Sequence, residues 1–406
     1  MDSMITAAAR ALAMGDPLRA LQKVALRNDA PALALRGIAM AQLGDFVRAK
    51  TLLRSAARAF GSKEAIARAR CVVAEAEVAL ASRDLAWPAT TLQRARATLE
   101  EHGDGVNAAH AGYLEMRRLV LIGQIDAAER LLAGLEPTPL PPPLKAAHEL
   151  VVAGIAMRRL RTRVARDALA RARQAALLAD IPALTAEVEN GARVLDTPAA
   201  RMIARGKERL LLPSEIEDLL SSKTLVVDAC RYAVHDGNST VLLTKRPVLF
   251  TLVRLLAEAW PGEAARGELI AQAFRIKHAN EQHRARLRVE IGRLRSLLRT
   301  QAIVSATRAG FALAPRSARE VVVLAPPVEE KHAALLAFLS DGESWSSSAL
   351  ALALGASQRS VQRALDSLAA AGKVQSFGRG RARRWLTPTV PGFTTHLLLP
   401  ATLRSP

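Results

Sequence analysis

Turns expected near Gly44, Arg83, Gly123 and Arg161 recur every 38 to 40 residues through the first half of the chain. A period of that length corresponds to one helical hairpin per repeat, and a single hairpin cannot bury its own apolar face. Successive hairpins must therefore stack, which makes a continuous α-solenoid the expected form of residues 1–205. Within it, residues 33–60, 74–99, 114–132 and 151–178 read as helix pairs, and no credible strand interrupts them. The residue supply agrees. Half of the chain is hydrophobic but only 3% is aromatic, so its cores must be built mainly from Ala, Leu and Val. Alanine has the best helix propensity and lets helix backbones come close. The run PTPLPPP at residues 137–143 cannot be helical and is expected to be a stiff connection inside the array.

The best-marked pair is LALRGIAMAQLGDFVRAKTLLRSAARAF, residues 33–60. There Gly37, Gly44, Phe46, Ala49, Leu53 and Ala56 fall where packed helices need small or apolar contacts. Gly123, Ala128 and Leu132 repeat the offsets of Gly44, Ala49 and Leu53. These residues resemble tetratricopeptide repeats, the first copy most closely. The resemblance implies a sensor or docking platform for a protein or peptide partner; the other reading of such an array is a scaffold for a homodimer.

Charge narrows the partners. The 57 Lys and Arg against 38 Asp and Glu give a net +19 and a pI near 11.1, which favours a polyanion such as nucleic acid. Membrane insertion is not expected, because Arg interrupts every Ala/Leu stretch before it reaches the roughly 18 apolar residues a span needs. The opening MDSMITAAARALAMGD lacks the basic start and small-residue cleavage site of a secretory signal, so a cytoplasmic location is expected. Cys71 and Cys230 share no metal or redox spacing and read as small buried hydrophobes in a reducing compartment. Phosphate-binding, nucleophile-elbow and metalloprotease motifs are not found, nor is a Cys/His cluster, so neither catalysis nor a cofactor is expected.

Composition changes after a linker helix expected at residues 206–222. The stretch KTLVVDACRYAVHDGNSTVLLT, from Lys223, reads as two strands around an Asp236–Asn238 turn. Thr244 is placed as the N-cap of a helix with Pro247 in its first turn and Leu249, Leu252, Leu255 and Leu256 inward. A short helix is expected over residues 268–274, a long one over 281–299, and a hairpin over 303–313 with Gly310 near its tip. Residues 275–316 hold ten Lys and Arg against two acids.

The long helix, EQHRARLRVEIGRLRSLLR, carries the clearest chemistry. At about 100° per residue, Leu287, Ile291, Leu294 and Leu298 make one apolar stripe. The opposite face holds Ala285, Val289, Gly292 and Ser296, with Arg288, Arg293 and Arg299 on its shoulders. A helix entering a major groove needs this: small residues at closest approach, an apolar group for a thymine methyl, and guanidinium groups for guanine edges or phosphates. The alternative is a solvated Arg-rich face, which would usually mix signs of charge. His278 and His283 lie near this helix, where surface histidine is the blander reading.

Here the order of elements resembles the winged-helix output domain of OmpR/PhoB-type regulators over residues 223–316, most specifically in Ile291-Gly292-Arg293-Leu294-Arg295 and in the hairpin ending Gly310-Phe311. The resemblance implies that Val289, Arg293 and Arg295 contact DNA from the recognition helix, and that Thr307 and Arg308 serve the wing in the minor groove. Two positions depart from the family: its usual Arg-Gly in the wing falls on Thr307-Arg308, and a basic recognition-helix position is Ala285. No receiver-like segment precedes this region, so phosphorelay control is not expected.

Residues 328–390 follow as three helices and a hairpin, ahead of a tail at 391–406. They look like a second, compact winged helix–turn–helix domain. In SQRSVQRALDSLAAAGKV, Val361, Leu365 and Leu368 are expected inward, while Ser357, Gln358, Arg359, Gln362 and Arg363 project from the first turns, where base edges are read. The hairpin tip places Arg379, Arg381 and Arg383 at alternate positions, suited to a phosphate or minor-groove clamp. Such folds also mediate protein contacts, and the four Arg of this hairpin, with no acid among them, favour nucleic acid.

The expected chain is thus mainly α: a tetratricopeptide-like N-terminal α-solenoid followed by two α+β winged-helix domains. The expected function is a non-catalytic, sequence-specific regulator of transcription on double-stranded DNA. A protein-interaction adaptor whose winged helices dock proteins is the alternative. RNA is weaker, because the basic faces lack the stacking aromatics that RNA-loop readers use.

Overall fold

A computed structural model describes residues 2–386, except 86, 136–139, 277–279, 328–331, 340–343, 371–372, 379 and 381–382. The protein is mainly helical, with two sheets and a separate hairpin. It forms two compact units: residues 1–159, 163–192 and 332–406 make one, residues 160–162 and 193–331 the other.

The first unit starts with helices α1 (Ser3–Ala13), α2 (Pro17–Val24), α3 (Ala30–Gln42), α4 (Phe46–Phe60), α5 (Ala65–Ala81), α6 (Ala89–Glu101), α7 (Gly105–Leu121), α8 (Ile125–Ala133), α9 (Pro142–Arg158), α10 (Thr162–Ala179) and α11 (Pro182–Leu195). Many begin at an aspartate. The side chains of Asp2, Asp16, Asp29, Asp45 and Asp104 each accept hydrogen bonds from first-turn amides that have no partner inside the helix. Neighbours in sequence pack on each other, α3 on α4, α4 on α5, α6 on α7 and α7 on α8. The four turns read from the spacing each hold a left-handed residue: Gly44, Arg83, Gly123 and Leu160. Ala49, Leu53 and Ala56 are fully enclosed between α3, α4 and their neighbours, and Ala128 occupies the equivalent place on α8. One expectation is corrected here. Pro142 and Pro143 open α9 instead of staying outside it, because a helix's first amides need no partner and proline's fixed φ suits that turn. Of the proline run, residues 137–139 lie outside the described ones.

The same unit ends with α16 (Ala333–Leu339), α17 (Ser347–Leu354), α18 (Gln358–Ala370) and a hairpin of β10 (Gln375–Phe377) and β11 (Arg384–Leu386), numbering strands in chain order. Val361, Leu365 and Leu368 face inward as expected. Trp345 and Trp385, each 1% exposed, are joined by two backbone hydrogen bonds of 2.8 Å. Their core is not private. It is continuous with Ala69, Val73, Leu80, Leu92, Leu99 and Leu114 of α5, α6 and α7. The Arg83 guanidinium lies 5.4 Å from the centre of the Trp345 ring, and that of Arg158 lies 5.7 Å from Phe338.

The second unit contains β1 (Ala200–Ala204), β2 (Lys207–Leu211), α12 (Pro213–Ser221), β3 (Leu225–Asp228), β4 (Ala233–His235), β5 (Thr240–Leu242), α13 (Pro247–Glu258), β6 (Glu263–Ala265), α14 (Arg266–Phe274), α15 (Glu281–Leu297), β7 (Ala302–Ala306), β8 (Gly310–Pro315) and β9 (Val321–Ala325). A six-stranded sheet has the order β2-β1-β9-β3-β4-β5, antiparallel apart from the parallel pair β3 and β9. Parallel strands need a long crossover, and here it contains the three helices and a smaller sheet of order β6-β8-β7. Leu249, Leu252, Leu255 and Leu256 of α13 pack inward with Leu287, Ile291, Leu294 and Leu298 in one core.

Four expectations change in this unit. The stretch from Lys223, read as two strands, forms three, because the chain turns between Asp228 and Ala233 as well as at residues 236–239. Residues 200–211, read as helix and linker, form the β1–β2 hairpin, turning at Arg205 and Gly206 with both in the left-handed region. The linker helix shrinks to α12. Strand β9 was not foreseen, since a short, continuous apolar run has no alternation to mark it; it is buried along its whole length between two neighbours. Helix α13 starts from Arg246, not Thr244, and makes no side-chain cap bond.

Candidate nucleic-acid interface

Helix α15 is set at both ends. Its N-cap Asn280 accepts the His283 amide at 3.0 Å, while its own amide donates to His283 Nδ1 at 3.3 Å. His283 is thereby occupied with capping, and His278 lies outside the described residues. Beyond the C-terminus, buried Gln301 donates from Nε2 to the carbonyls of Val234 (3.3 Å) and Ser239 (3.0 Å) and to the Ser239 hydroxyl (2.9 Å). That amide ties the helix to the β4–β5 turn, a link the sequence does not signal.

With the apolar stripe buried, the face opposite is exposed: Ala285, Arg288, Val289, Gly292, Arg293, Ser296 and Arg299 all reach solvent. Val289 is 55% exposed. A Cβ added at Gly292 would meet nothing within 4 Å, so no packing among the described residues requires glycine there. Mid-helix glycine costs about 1 kcal/mol relative to alanine.

The guanidinium groups differ in what they hold. Arg288 reaches Glu281 at 3.0 Å, an exposed pair that water and salt weaken, and exposed Arg293 reaches the largely enclosed Glu290 at 2.9 Å. Arg286 turns away and lies 4.4 Å over the Phe274 ring. Arg295, expected as a base or phosphate contact, donates from Nε to the Val304 carbonyl at 2.7 Å. It fastens α15 to β7 and is not free to reach outward by that nitrogen. The Arg299 side chain has no ion pair or hydrogen bond among the described residues, though its carbonyl accepts from Arg316 Nε at 2.7 Å.

At the β7–β8 tip, Thr307 is half-buried and its hydroxyl accepts the Gly310 amide at 2.9 Å, so this hydroxyl serves the turn. Arg308 is exposed, and its guanidinium likewise has no partner among the described residues. Gly310 is required by its surroundings: a Cβ there would fall 1.8 Å from the Ala264 carbonyl oxygen of β6. Sequence reasoning passed over Arg266, whose backbone and side chain both bond to this tip.

On α18, Ser357 Oγ accepts the Ser360 amide at 3.2 Å and lies 2.8 Å from the Ser360 hydroxyl. Gln358 Nε2 donates to Ser347 Oγ at 3.3 Å, and half-buried Gln362 donates to Asp366 at 3.0 Å. Arg359 and Arg363 are exposed, without an ion pair or hydrogen bond among the described residues. Arg383 folds back on its own hairpin, 4.3 Å over the Trp385 ring and 3.2 Å from Ser376 Oγ. Arg379 and Arg381 lie outside the described residues.

Elsewhere, no group of His, Cys, Asp or Glu among the described residues could hold a metal, and no helix among them is long and apolar enough to cross a membrane. Cys71 is buried, and burial pushes its thiol up to about 12; Cys230, expected to be buried, is exposed in the β3–β4 turn. No family model, curated protein or solved structure matches this chain.

Proposed function

We propose that this protein is a sequence-specific, non-catalytic DNA-binding regulator of transcription, and that α15 reads the major groove. One observation carries the reading. The outward face of α15 has a slim centre at Ala285, Val289 and Gly292, with no packing among the described residues to require the glycine, and arginines on both shoulders. A groove-binding helix must have its smallest residues where the base edges come closest and its cations where the phosphates run. Three helices followed by the β7–β8 hairpin support a winged helix over residues 223–316, with Arg308 as the wing's cation. The helices of residues 1–195, paired at a regular spacing, support a tetratricopeptide-like array that docks a protein or peptide. A titration of duplex DNA across a salt series tests the reading: log Kd should rise by about 0.9 per log unit of salt for each phosphate neutralised. A flat response would remove it.

The adaptor reading keeps one observation in its favour. The second candidate reader, α18, belongs to an element whose core is shared with α5, α6 and α7, so part of this element already serves a contact within the protein. On that reading Arg359 and Arg363 are solubilising charges, and their removal leaves the salt response unchanged.

A further inference from the structure

Hairpin tips are ordinarily the loosest part of a small sheet, because few bonds reach them from outside. The β7–β8 tip is different. Three successive carbonyls, those of Thr307, Arg308 and Ala309, all accept from one residue 41 to 43 positions earlier in the chain, Arg266. Its Nη1 donates to the Arg308 carbonyl at 2.6 Å, its Nη2 to that of Thr307 at 2.7 Å, and its backbone amide to that of Ala309 at 3.2 Å. The same guanidinium lies 5.6 Å from the centre of the Phe311 ring. Gly310 seals the other side by letting β8 press on the Ala264 carbonyl.

The consequence is directional. With all three carbonyls turned toward Arg266, the Arg308 side chain is left on the solvent side of the tip, and it is the only cationic side chain of residues 302–315. A planar guanidinium can hold two carbonyls at once in a fixed fork, which a lysine ammonium does less rigidly. Arg266 itself has both terminal nitrogens committed.

We propose that Arg266 is a positioning residue: it fixes the hairpin tip so that Arg308 meets one DNA phosphate, and it does not touch DNA itself. The proposal rests on the DNA reading above and adds the residue that sets where the wing's single cation sits.

The test uses the full chain carrying Arg266→Ala, Arg266→Lys, Arg308→Ala, or Arg266→Ala together with Arg308→Ala, with two readouts. The first needs no DNA: limited trypsin digestion, following release of the peptide that starts at Ala309. Arg266→Ala should speed that cut at least tenfold, with Arg266→Lys in between and the thermal transition retained. The second is the salt slope of duplex binding. Arg308→Ala and Arg266→Ala should each lower it by about 0.9, and the double substitution by no more than either alone. Unchanged trypsin cutting in Arg266→Ala would overturn the anchoring. A double substitution that loses about twice as much slope would also overturn it, by making Arg266 a phosphate contact. If Arg266→Ala fails to fold, Arg266→Lys carries the same comparison against Arg308→Ala. A wild-type chain without salt-dependent binding would end the DNA reading and this proposal with it, while the trypsin arm would still show whether Arg266 holds the tip.

Discussion

Helices α15 and α18 present cations in similar ways, yet they are seated in different ways. Helix α15 closes a core drawn wholly from residues 203–323 of its own unit, with Leu287, Ile291, Leu294 and Leu298 against α13, the sheets and the hairpin. Helix α18 closes a core that runs on into α5, α6 and α7. Size explains the contrast. An element of about 55 residues buries too small a fraction of its surface to be comfortably stable by itself. The C-terminal element meets that shortage by sharing Leu335, Leu339 and Trp345 with the array, whereas the second unit has two sheets and four helices with which to enclose its own apolar residues. A reading helix can therefore be carried by a self-sufficient domain or be built onto another structure, and the pattern of exposed cations does not distinguish the two.

Cutting the chain gives the largest expected effect. Residues 193–331 expressed alone should melt in one cooperative transition, and residues 332–406 alone should show none by circular dichroism. A cooperative transition in the C-terminal fragment would break the comparison, by showing that its core is complete without the array.

A single substitution sharpens the same point. Trp345→Ala removes a side chain that is 1% exposed in the shared core and should destabilise the first unit by about 3–5 kcal/mol. The effect should extend to α5 and α7, read as faster hydrogen exchange there, and leave amides of α13 and α15 unchanged. Exchange confined to residues 332–386 would mean that the contact with the array contributes little.

The contrast also explains what could be read in advance. The α15 face was legible because its 3.6-residue period survives intact from Leu287 to Leu298, and the four array turns because their spacing is regular. The β1–β2 hairpin and β9 were not: neither alternates, β9 pairs only with strands far away in sequence, and the local β1–β2 hairpin turns on Arg205-Gly206 with a single glycine to mark it. Arg295 was expected at DNA because the family resemblance implies it and not from the outward face of the helix, and the Val304 carbonyl that captures it lies on another element. Arg266 and the sharing of Trp345 with the array were invisible for the same reason. Both are long-range contacts made by residue types whose positions carry no local signal.

The smallest effect concerns Cys71, which lies with Ala34 and Ala56 in the first unit. Burial raises its thiol from an ordinary 9.0 to about 12, so the folded chain keeps the proton at pH 8. The stability this contributes is intact below pH 9.0 and is lost as the pH climbs toward 12. Alkylation at pH 8 should leave Cys71 unmodified until denaturant is added. Modification of Cys71 in the native chain would show the first unit to open more readily than its packing implies.

The central claim is that α15 reads duplex sequence, and selection from random duplex DNA followed by sequencing tests it most directly, comparing the wild type with Arg293→Ala and Val289→Ala. The account predicts one enriched motif for the wild type and relaxed preference at particular base positions in the two variants, with each lost contact worth about 1–3 kcal/mol. No enrichment in the wild type, or an identical motif at equal strength in all three proteins, would contradict it.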